Sequence, residues 1–335
     1  MPREIDASAP LDRDAFLRDI AEPCAPVVLR GLCRDWPARR AAEESPAALC
    51  AYLRRFDTGV TAQAFVGAPA IAGRYFYGDG PDGFNFDRET VGLSEALARM
   101  LAAAEDPELP TLYMGSLPAD GQLAGFAAEN ALPWLNPAVL PRIWVGNASC
   151  ASCHYDTYDN VACVVAGRRR FTLYPPDAIG DLYVGRIDHT MAGQPVSLAA
   201  GAPPDDPRYP RFAAARERAL IVDLAPGDGL YLPKLWWHAV EALDPFNLMV
   251  NYWWDAFGAG PDAPYTTMML AMTAIAGRPP AERAAWRAWF DHYVFRPDGH
   301  PLAHLPEAEH GLLDQSDPRN RGRIRAIVMR LLREG

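Results

Sequence analysis

Val161-Ala-Cys-Val-Val165 runs into the turn Ala166-Gly167 and then into Arg168-Arg-Arg-Phe-Thr-Leu-Tyr174. The first run is apolar and β-branched and the second alternates, so the stretch reads as strand, tight turn, strand. Similar short runs surround it: Thr111 to Met114, Arg142 to Val145, Leu220 to Leu224, Leu230 to Leu232 and Leu248 to Trp254. Strands of this length, punctuated by Pro and Gly from residue 110 to 255, predict antiparallel sheet in a sandwich or barrel of the jelly-roll and cupin type.

The flanks differ in texture. Residues 10 to 56 alternate helical stretches (Leu11 to Ile20, Pro46 to Phe56) with the strand-like run Pro26-Val-Val-Leu-Arg30, which Gly31 closes. Between 60 and 90, Tyr75-Phe-Tyr77 and Phe84-Asn-Phe86 lie among Gly, Pro and Asp and read as short strands and turns. Leu93 to Ala104 reads as a helix, and after Pro264 the sequence turns helical again at Ala281 to Phe290 and Ile324 to Leu332. The expected class is mainly β with flanking helices: a double-stranded β-helix (jelly-roll or cupin) core, an α/β N-terminal region and a helical C-terminus. Residues 1–260 are read as one cupin-like domain with its N-terminal α/β elements, and residues 261–335 as a C-terminal helical region.

Bulk properties narrow the function classes. Half of the 335 residues are apolar, enough for a sizeable core, and no apolar run reaches the roughly 18 residues that a membrane span requires. With a charged start at Met1-Pro-Arg-Glu-Ile-Asp6, a cytoplasmic protein is expected. The net charge of −10 weighs against a nucleic-acid partner, because phosphate binding draws on clustered Lys and Arg. The local exception is Arg319 to Arg333, with six arginines, read as a solvated or dimer-facing helix. Six cysteines are read as reduced thiols.

Upstream of the opening stretch stands His154-Tyr-Asp156, and downstream His238 closes Tyr231-Leu-Pro-Lys-Leu-Trp-Trp-His238. Residues two apart share one face of a strand, so His154 and Asp156 can grip one ion. A strand following the turn Pro226-Gly-Asp-Gly229 is expected to return His238 to them. Two histidines and one carboxylate form the donor set that holds non-haem Fe(II) while leaving positions open for O2 and a co-substrate. His189, His292, His300, His304 and His310 lack such a partner and are read as structural or surface residues. Cys150-Ala-Ser-Cys153 has the spacing of a zinc or redox pair, but no second CxxC completes it, and close packing near the metal is the favoured reading.

In the opening stretch Arg169 shares its face with Phe171 and Leu173, whereas Arg168 and Arg170 point the other way. A guanidinium turned into a sandwich core is costly unless an anion meets it, either a protein carboxylate or a ligand. A dicarboxylate such as 2-oxoglutarate would chelate Fe(II) at one end and need a cation at the other.

His154-Tyr-Asp156 with Asn160, Gly167-Arg-Arg-Arg-Phe171, Tyr174-Pro-Pro176, Pro226-Gly-Asp228, Trp236-Trp-His238 and Asn251-Tyr-Trp-Trp254 together resemble the cupin-like JmjC oxygenases, the family that includes the asparaginyl hydroxylase acting on hypoxia-inducible factor. The likeness runs from Pro26-Val-Val-Leu-Arg-Gly31 and Trp36-Pro37 to the C-terminal helices. It implies His154, Asp156 and His238 as iron ligands, and Arg169 where many members carry a lysine for the distal carboxylate of 2-oxoglutarate. It implies Tyr113 as a hydrogen-bond donor to that carboxylate, Asn160 and Asn251 as polar neighbours of metal and co-substrate, and Trp253 as an aromatic wall. Ala151 departs from a position where relatives often place Ser or Thr, leaving Ser149 or Ser152 to substitute.

The implied activity is Fe(II)- and 2-oxoglutarate-dependent oxygenation, hydroxylating a protein or peptide side chain, with demethylation of an N-methyl group as a second outcome. The same fold also admits a non-oxygenase metal cupin, isomerase-like, which has no need of Arg169, and a regulatory protein with a vestigial site. The resemblance further implies a homodimer through Trp286, Trp289, Phe290 and the Ile324 to Leu332 face. Substrate specificity is expected in the loops at 60 to 90 and 185 to 215.

Overall fold

The structure, a computed structural model, describes residues 2–9, 11–78, 83–191, 193–203, 205–258, 260–314 and 316–334. Its strands are, in order, β1 (Arg3–Asp6), β2 (Val27–Arg30), β3 (Thr61–Gly67), β4 (Arg74–Tyr75), β5 (Asp87–Gly92), β6 (Thr111–Pro118) and β7 (Pro141–Gly146). They continue as β8 (Ser149–His154), β9 (Asp159–Ala166), β10 (Arg169–Tyr174), β11 (Leu220–Leu224), β12 (Gly229–Leu232), β13 (Trp237–Ala242) and β14 (Asn247–Trp254). The larger sheet has the order β1-β2-β12-β9-β14-β7-β6-β3-β5 and the smaller β11-β10-β13-β8-β4. All neighbours are antiparallel except the pairs β1/β2 and β4/β8. Antiparallel ladders and two sheets over a shared core are the jelly-roll architecture expected from the sequence.

Strand β9 explains the layering, because every one of its residues is buried. Ala162 and Val164 join Phe171, Leu173, Val222, Leu230 and Val240 in a core that draws on both sheets. Val161, Cys163 and Val165 point the other way, into a second core with Phe16, Leu49, Leu97 and Trp134 from the N-terminal helices and loops. A strand covered on both faces has no polar side to present, hence the continuous apolar run. The smaller sheet is backed in turn, with Cys153, Tyr174 and Trp237 packed against Leu182, Phe212 and Ala215 of the long insertion.

Gly167 makes the turn from β9 to β10 possible. Its φ is +69°, and a Cβ would sit 2.1 Å from the Asn247 side-chain oxygen, so no larger residue fits. Just before β12, the Asp228 carboxylate accepts from Arg30 Nη1 at 2.6 Å and from the Gly31 backbone N–H at 3.0 Å. The Pro226-Gly-Asp228 motif is therefore a clamp that ties the start of β12 to the end of β2.

Three expectations need correction. Asp156 does not lie on the strand that carries His154: β8 ends at His154. The backbone beyond it leaves the ladder, and the Asp156 carbonyl accepts instead from the Leu235 N–H at 2.8 Å. His238 does not lie on the strand next after the Pro226–Gly229 turn, which is β12, but on β13, because Pro233 to Trp236 interrupt the pairing. The first helix is α-helical only over Arg13–Phe16, capped by Asp12, and continues as a π-helical turn over Leu17–Ala21.

The protein divides into two units, Met1–Gly258 and Ala259–Gly335. The second contains helices Pro264–Ile275, Pro280–Phe290 and Arg319–Glu334, and no residue of the first two is buried. No helix among the described residues is long and apolar enough to cross a membrane.

Candidate metal centre

His154 and His238 are register partners on the antiparallel strands β8 and β13. His154 Nδ1 lies 2.7 Å from the Ser152 carbonyl oxygen and His238 Nδ1 lies 3.0 Å from that of Trp236. With Nδ1–H donating to those carbonyls, each Nε2 keeps a lone pair for the cavity, the tautomer a metal ligand needs. Burial, reinforced by His154 and opposed by Asp156, pushes the His238 pKa down to about 4. The imidazole is neutral and competent to coordinate at neutral pH.

Asp156 completes the group, its Oδ2 standing 3.8 Å from His238 Nε2. One ligand atom from each of the three residues lies within 4.8 Å of the others. Among the described residues no other group of three His, Cys, Asp or Glu side chains is close enough to hold a metal. Cys150 and Cys153 gather no further ligands, and burial raises both thiol pKa values, so neither has the lowered pKa of a reactive thiolate. The residue that fixes the Asp156 segment is Leu235, whose φ of +68° is rare outside glycine. That strained residue is the one that donates its N–H to the Asp156 carbonyl.

The three side chains open into a cavity of about 420 Å³ lined also by Tyr113, Asn160, Arg169, Asn251 and Trp253. All eight residues singled out in the sequence therefore meet in one space. Alternation accounts for it: on β9 Asn160 shares a face with Ala162 and Val164, and on β14 Asn251 and Trp253 share one with Met249.

Arg169 is 3% exposed, and its Nε has no hydrogen-bond partner. Its neighbours Arg168 and Arg170, on the other face, pair with Asp244 at 2.8 Å and Asp223 at 2.7 Å. No carboxylate among the described residues pairs with Arg169. Burial pushes its pKa below the ordinary arginine value, opposed by the nearby Tyr113 phenol. Tyr113 is itself raised to about 12 by burial, against the pull of Arg169, and stays a protonated donor.

Other polar atoms of the cavity are also orphaned: Asn160 Oδ1, Gln194 Oε1 and Trp253 Nε1 are buried without a partner. Buried polar groups are normally satisfied, and four orphans around one cavity are what a bound polar ligand would complete. Asn251 is different, since its Oδ1 already accepts from Trp144 Nε1 at 2.7 Å. Ser149 and Ser152, the two serines that flank Ala151, both line the cavity, and Ser152 donates to the Tyr75 carbonyl at 2.9 Å. The donor set and the orphaned atoms fit a divalent metal together with a carboxylate-bearing ligand.

Gln63, Phe65, Phe86, Met191 and Gln194 of the lining fall in the 60 to 90 and 185 to 215 regions expected to carry specificity, whereas sequence reasoning missed Ser116 and Arg142. Arg142 was legible in principle, since it alternates with Ile143 and shares the inward face of β7 with Trp144. A separate groove of about 530 Å³, lined by Arg39, Ser45, Glu105 and Asp244 among others, brings together no group of three metal-ligating side chains among the described residues.

A jelly-roll core that brings two histidines and one carboxylate within reach of one another is the architecture of a cupin. Residues 13–260 match the model of the cupin-like domain family. HSPB1-associated protein 1 of Bos taurus is 37% identical over 113 residues, which are 33% of this chain and 23% of that protein. Lysine-specific demethylase JMJ30 of Arabidopsis thaliana is 26% identical over 259 residues, 76% of this chain and 55% of that protein. Bifunctional peptidase and (3S)-lysyl hydroxylase JMJD7 of Homo sapiens is 26% identical over 268 residues, 72% of this chain and 80% of that protein. The match spans about a quarter of the length of the HSPB1-associated proteins. The protein belongs to the cupin-like domain family.

Proposed function

We propose that the protein is an Fe(II)- and 2-oxoglutarate-dependent oxygenase that hydroxylates a side chain of a protein or peptide. The observation that carries this reading is Arg169, a buried guanidinium with no carboxylate partner among the described residues, in the same cavity as the three ligand side chains. An isomerase-like cupin has no use for such a cation. The named activities of two relatives, a lysine demethylase and a lysyl hydroxylase, support a protein substrate and leave hydroxylation and demethylation as outcomes of one chemistry.

Each residue has a defined task. His154, Asp156 and His238 would hold Fe(II) on one face, leaving the cavity side open. Arg169 would bind the distal carboxylate of 2-oxoglutarate, with the Tyr113 hydroxyl donating to the same group. Asn160 and Asn251 would orient the co-substrate and the open positions, and Trp253 would wall them from water. Fe(II) held by His154, Asp156 and His238 would supply the oxidising chemistry, in which O2 and 2-oxoglutarate would be converted to succinate and carbon dioxide with one oxygen atom entering a substrate C–H bond.

Anaerobic addition of Fe(II) and then 2-oxoglutarate is expected to give a weak visible charge-transfer band. The band is expected to vanish in Arg169→Ala and His154→Ala. A folded wild type that gives no band overturns the reading.

The helical unit supports a homodimer. Trp286, Trp289, Ile324, Leu331 and Leu332 are exposed by 42 to 60%. Such a concentration of apolar surface on helices is typical of an interface. Light scattering should return twice the 36.8 kDa mass of one protomer, and Trp289→Glu with Leu331→Glu should return the single mass.

A further inference from the structure

We propose that Arg142 is a substrate-recognition residue that binds a carboxylate, and that the cavity selects against a cationic side chain. The inference rests on the oxygenase reading for its position beside a reaction centre, and it names the class of substrate that centre takes.

The charge inventory of the cavity carries the argument. Among the described residues its lining contains two guanidiniums, Arg142 and Arg169, and a single carboxylate, Asp156, which belongs to the metal ligands. With the distal carboxylate of 2-oxoglutarate on Arg169, a lysine or arginine side chain entering this space would meet the remaining guanidinium, Arg142, and, among the described residues, no free anion. The desolvation of its own charge would go uncompensated.

Arg142 differs from Arg169 in position and support. It is half-buried on β7, directly opposite Asn251 of β14 and Pro118 of β6. A register shift in β6 between Met114 and Leu117 brings Ser116 to it. Arg142 Nε donates to the Ser116 hydroxyl and Nη2 to the Ser116 carbonyl at 3.2 Å, while the guanidinium lies 5.3 Å from the Trp253 ring centroid. Held along one edge and one face, it keeps Nη1 for a ligand, and no carboxylate among the described residues forms an ion pair with it. By contrast, Arg168 and Arg170 on the outer face of β10 are each matched by an aspartate. A braced guanidinium with a free edge over an aromatic ring is the arrangement that takes a carboxylate. The aromatic wall of Phe65, Tyr75 and Phe86 completes a cavity for a substrate that is apolar or neutral near the metal and anionic at Arg142.

The carboxylate can come from an Asp or Glu side chain or from the free C-terminus of a peptide, and the test separates them. Three fluorescein-labelled dodecapeptide pools, otherwise of uncharged residues, carry a fixed central Asp or Glu with blocked ends, a free C-terminal carboxylate, or a fixed central Lys with blocked ends. Binding is read by fluorescence anisotropy under anaerobic conditions, with and without Fe(II) and 2-oxoglutarate. One of the first two pools is expected to bind at least about tenfold more tightly than the lysine pool, a difference of the size a desolvated charge pair supplies. Arg142→Gln should bring the pools within about twofold of one another, and Arg142→Lys should keep part of the preference. Ser116→Ala, which removes the brace and leaves the charge, should weaken it. Equal or tighter binding of the lysine pool, a preference that survives Arg142→Gln, or binding of no pool overturns the proposal. Because the readout is binding, an Arg142-dependent preference without a charge-transfer band would remove the oxygenase reading alone.

Discussion

His154 and His238 face each other across the β8–β13 ladder with ring centroids 4.3 Å apart, each Nδ1 tied to the carbonyl two residues before it. Two imidazoles fixed by backbone carbonyls aim Nε2 before any metal arrives, so binding costs little reorganisation. Asp156 is held less directly, through its own carbonyl and the strained Leu235.

His238→Ala is therefore expected to keep the fold and lose the metal. The loss should exceed the roughly 10–100-fold effect of removing an outer-shell partner. Titration with Co(II), followed by its visible absorption, checks the affinity, and far-ultraviolet circular dichroism checks the fold.

Arg169 stands at the opposite balance between stability and function. A buried guanidinium without a protein anion carries a desolvation cost, so Arg169→Met should stabilise the protein by about 1–3 kcal/mol. The same change should abolish the rise in melting temperature that 2-oxoglutarate with Fe(II) gives the wild type under anaerobic conditions. Urea denaturation and thermal melts, run side by side, read the two effects.

The contrast between Arg169 and Arg142 marks how far the sequence can be read. Arg169 is legible because alternation through Phe171 and Leu173 gives its direction without reference to any other strand. Arg142 obeys the same alternation, but its meaning depends on Ser116, which a bulge in β6 delivers from a distant part of the sequence. Read from the sequence, His238 falls one strand early, since the bond from the Leu235 N–H to the Asp156 carbonyl, in the break between β12 and β13, is a tertiary contact. Local periodicity reports faces. It does not report which distant backbone group will break a ladder.

Beneath the site, the buried Asp159 accepts from Tyr231 Oη at 3.0 Å and from the Ala256 N–H at 2.9 Å, and pairs with Lys234 at 3.2 Å. Burial works against the charge on Lys234, but its bonds to Asp255 and Asp159 outweigh it and hold its pKa above the ordinary lysine value. A folded pKa above the unfolded one gives a contribution that is complete below about pH 10 and lost as the pH rises through the folded value. Between about pH 8 and pH 11, a window that brackets the ordinary lysine pKa, the wild type should lose more thermal stability than Lys234→Met. Equal losses in the two proteins would show that Lys234 is not the group responsible.

Gly115 offers a test of how packing outside the ligand set controls the site. A Cβ there would lie 2.1 Å from Cε3 of Trp144, far inside contact distance, so Gly115→Ala must displace the indole. Trp144 Nε1 donates to Asn251 Oδ1 at 2.7 Å, and its ring packs edge-on to Trp253 at 5.8 Å, so the displacement reaches two cavity residues at once. Overpacking of this kind typically costs about 1–3 kcal/mol. Gly115→Ala should lower stability by that amount, shift the tryptophan emission and weaken 2-oxoglutarate binding several-fold, while Co(II) affinity stays near the wild-type value because His154, Asp156 and His238 lie on other segments. A parallel fall in Co(II) affinity would mean that the Trp144 wall also sets the ligand geometry.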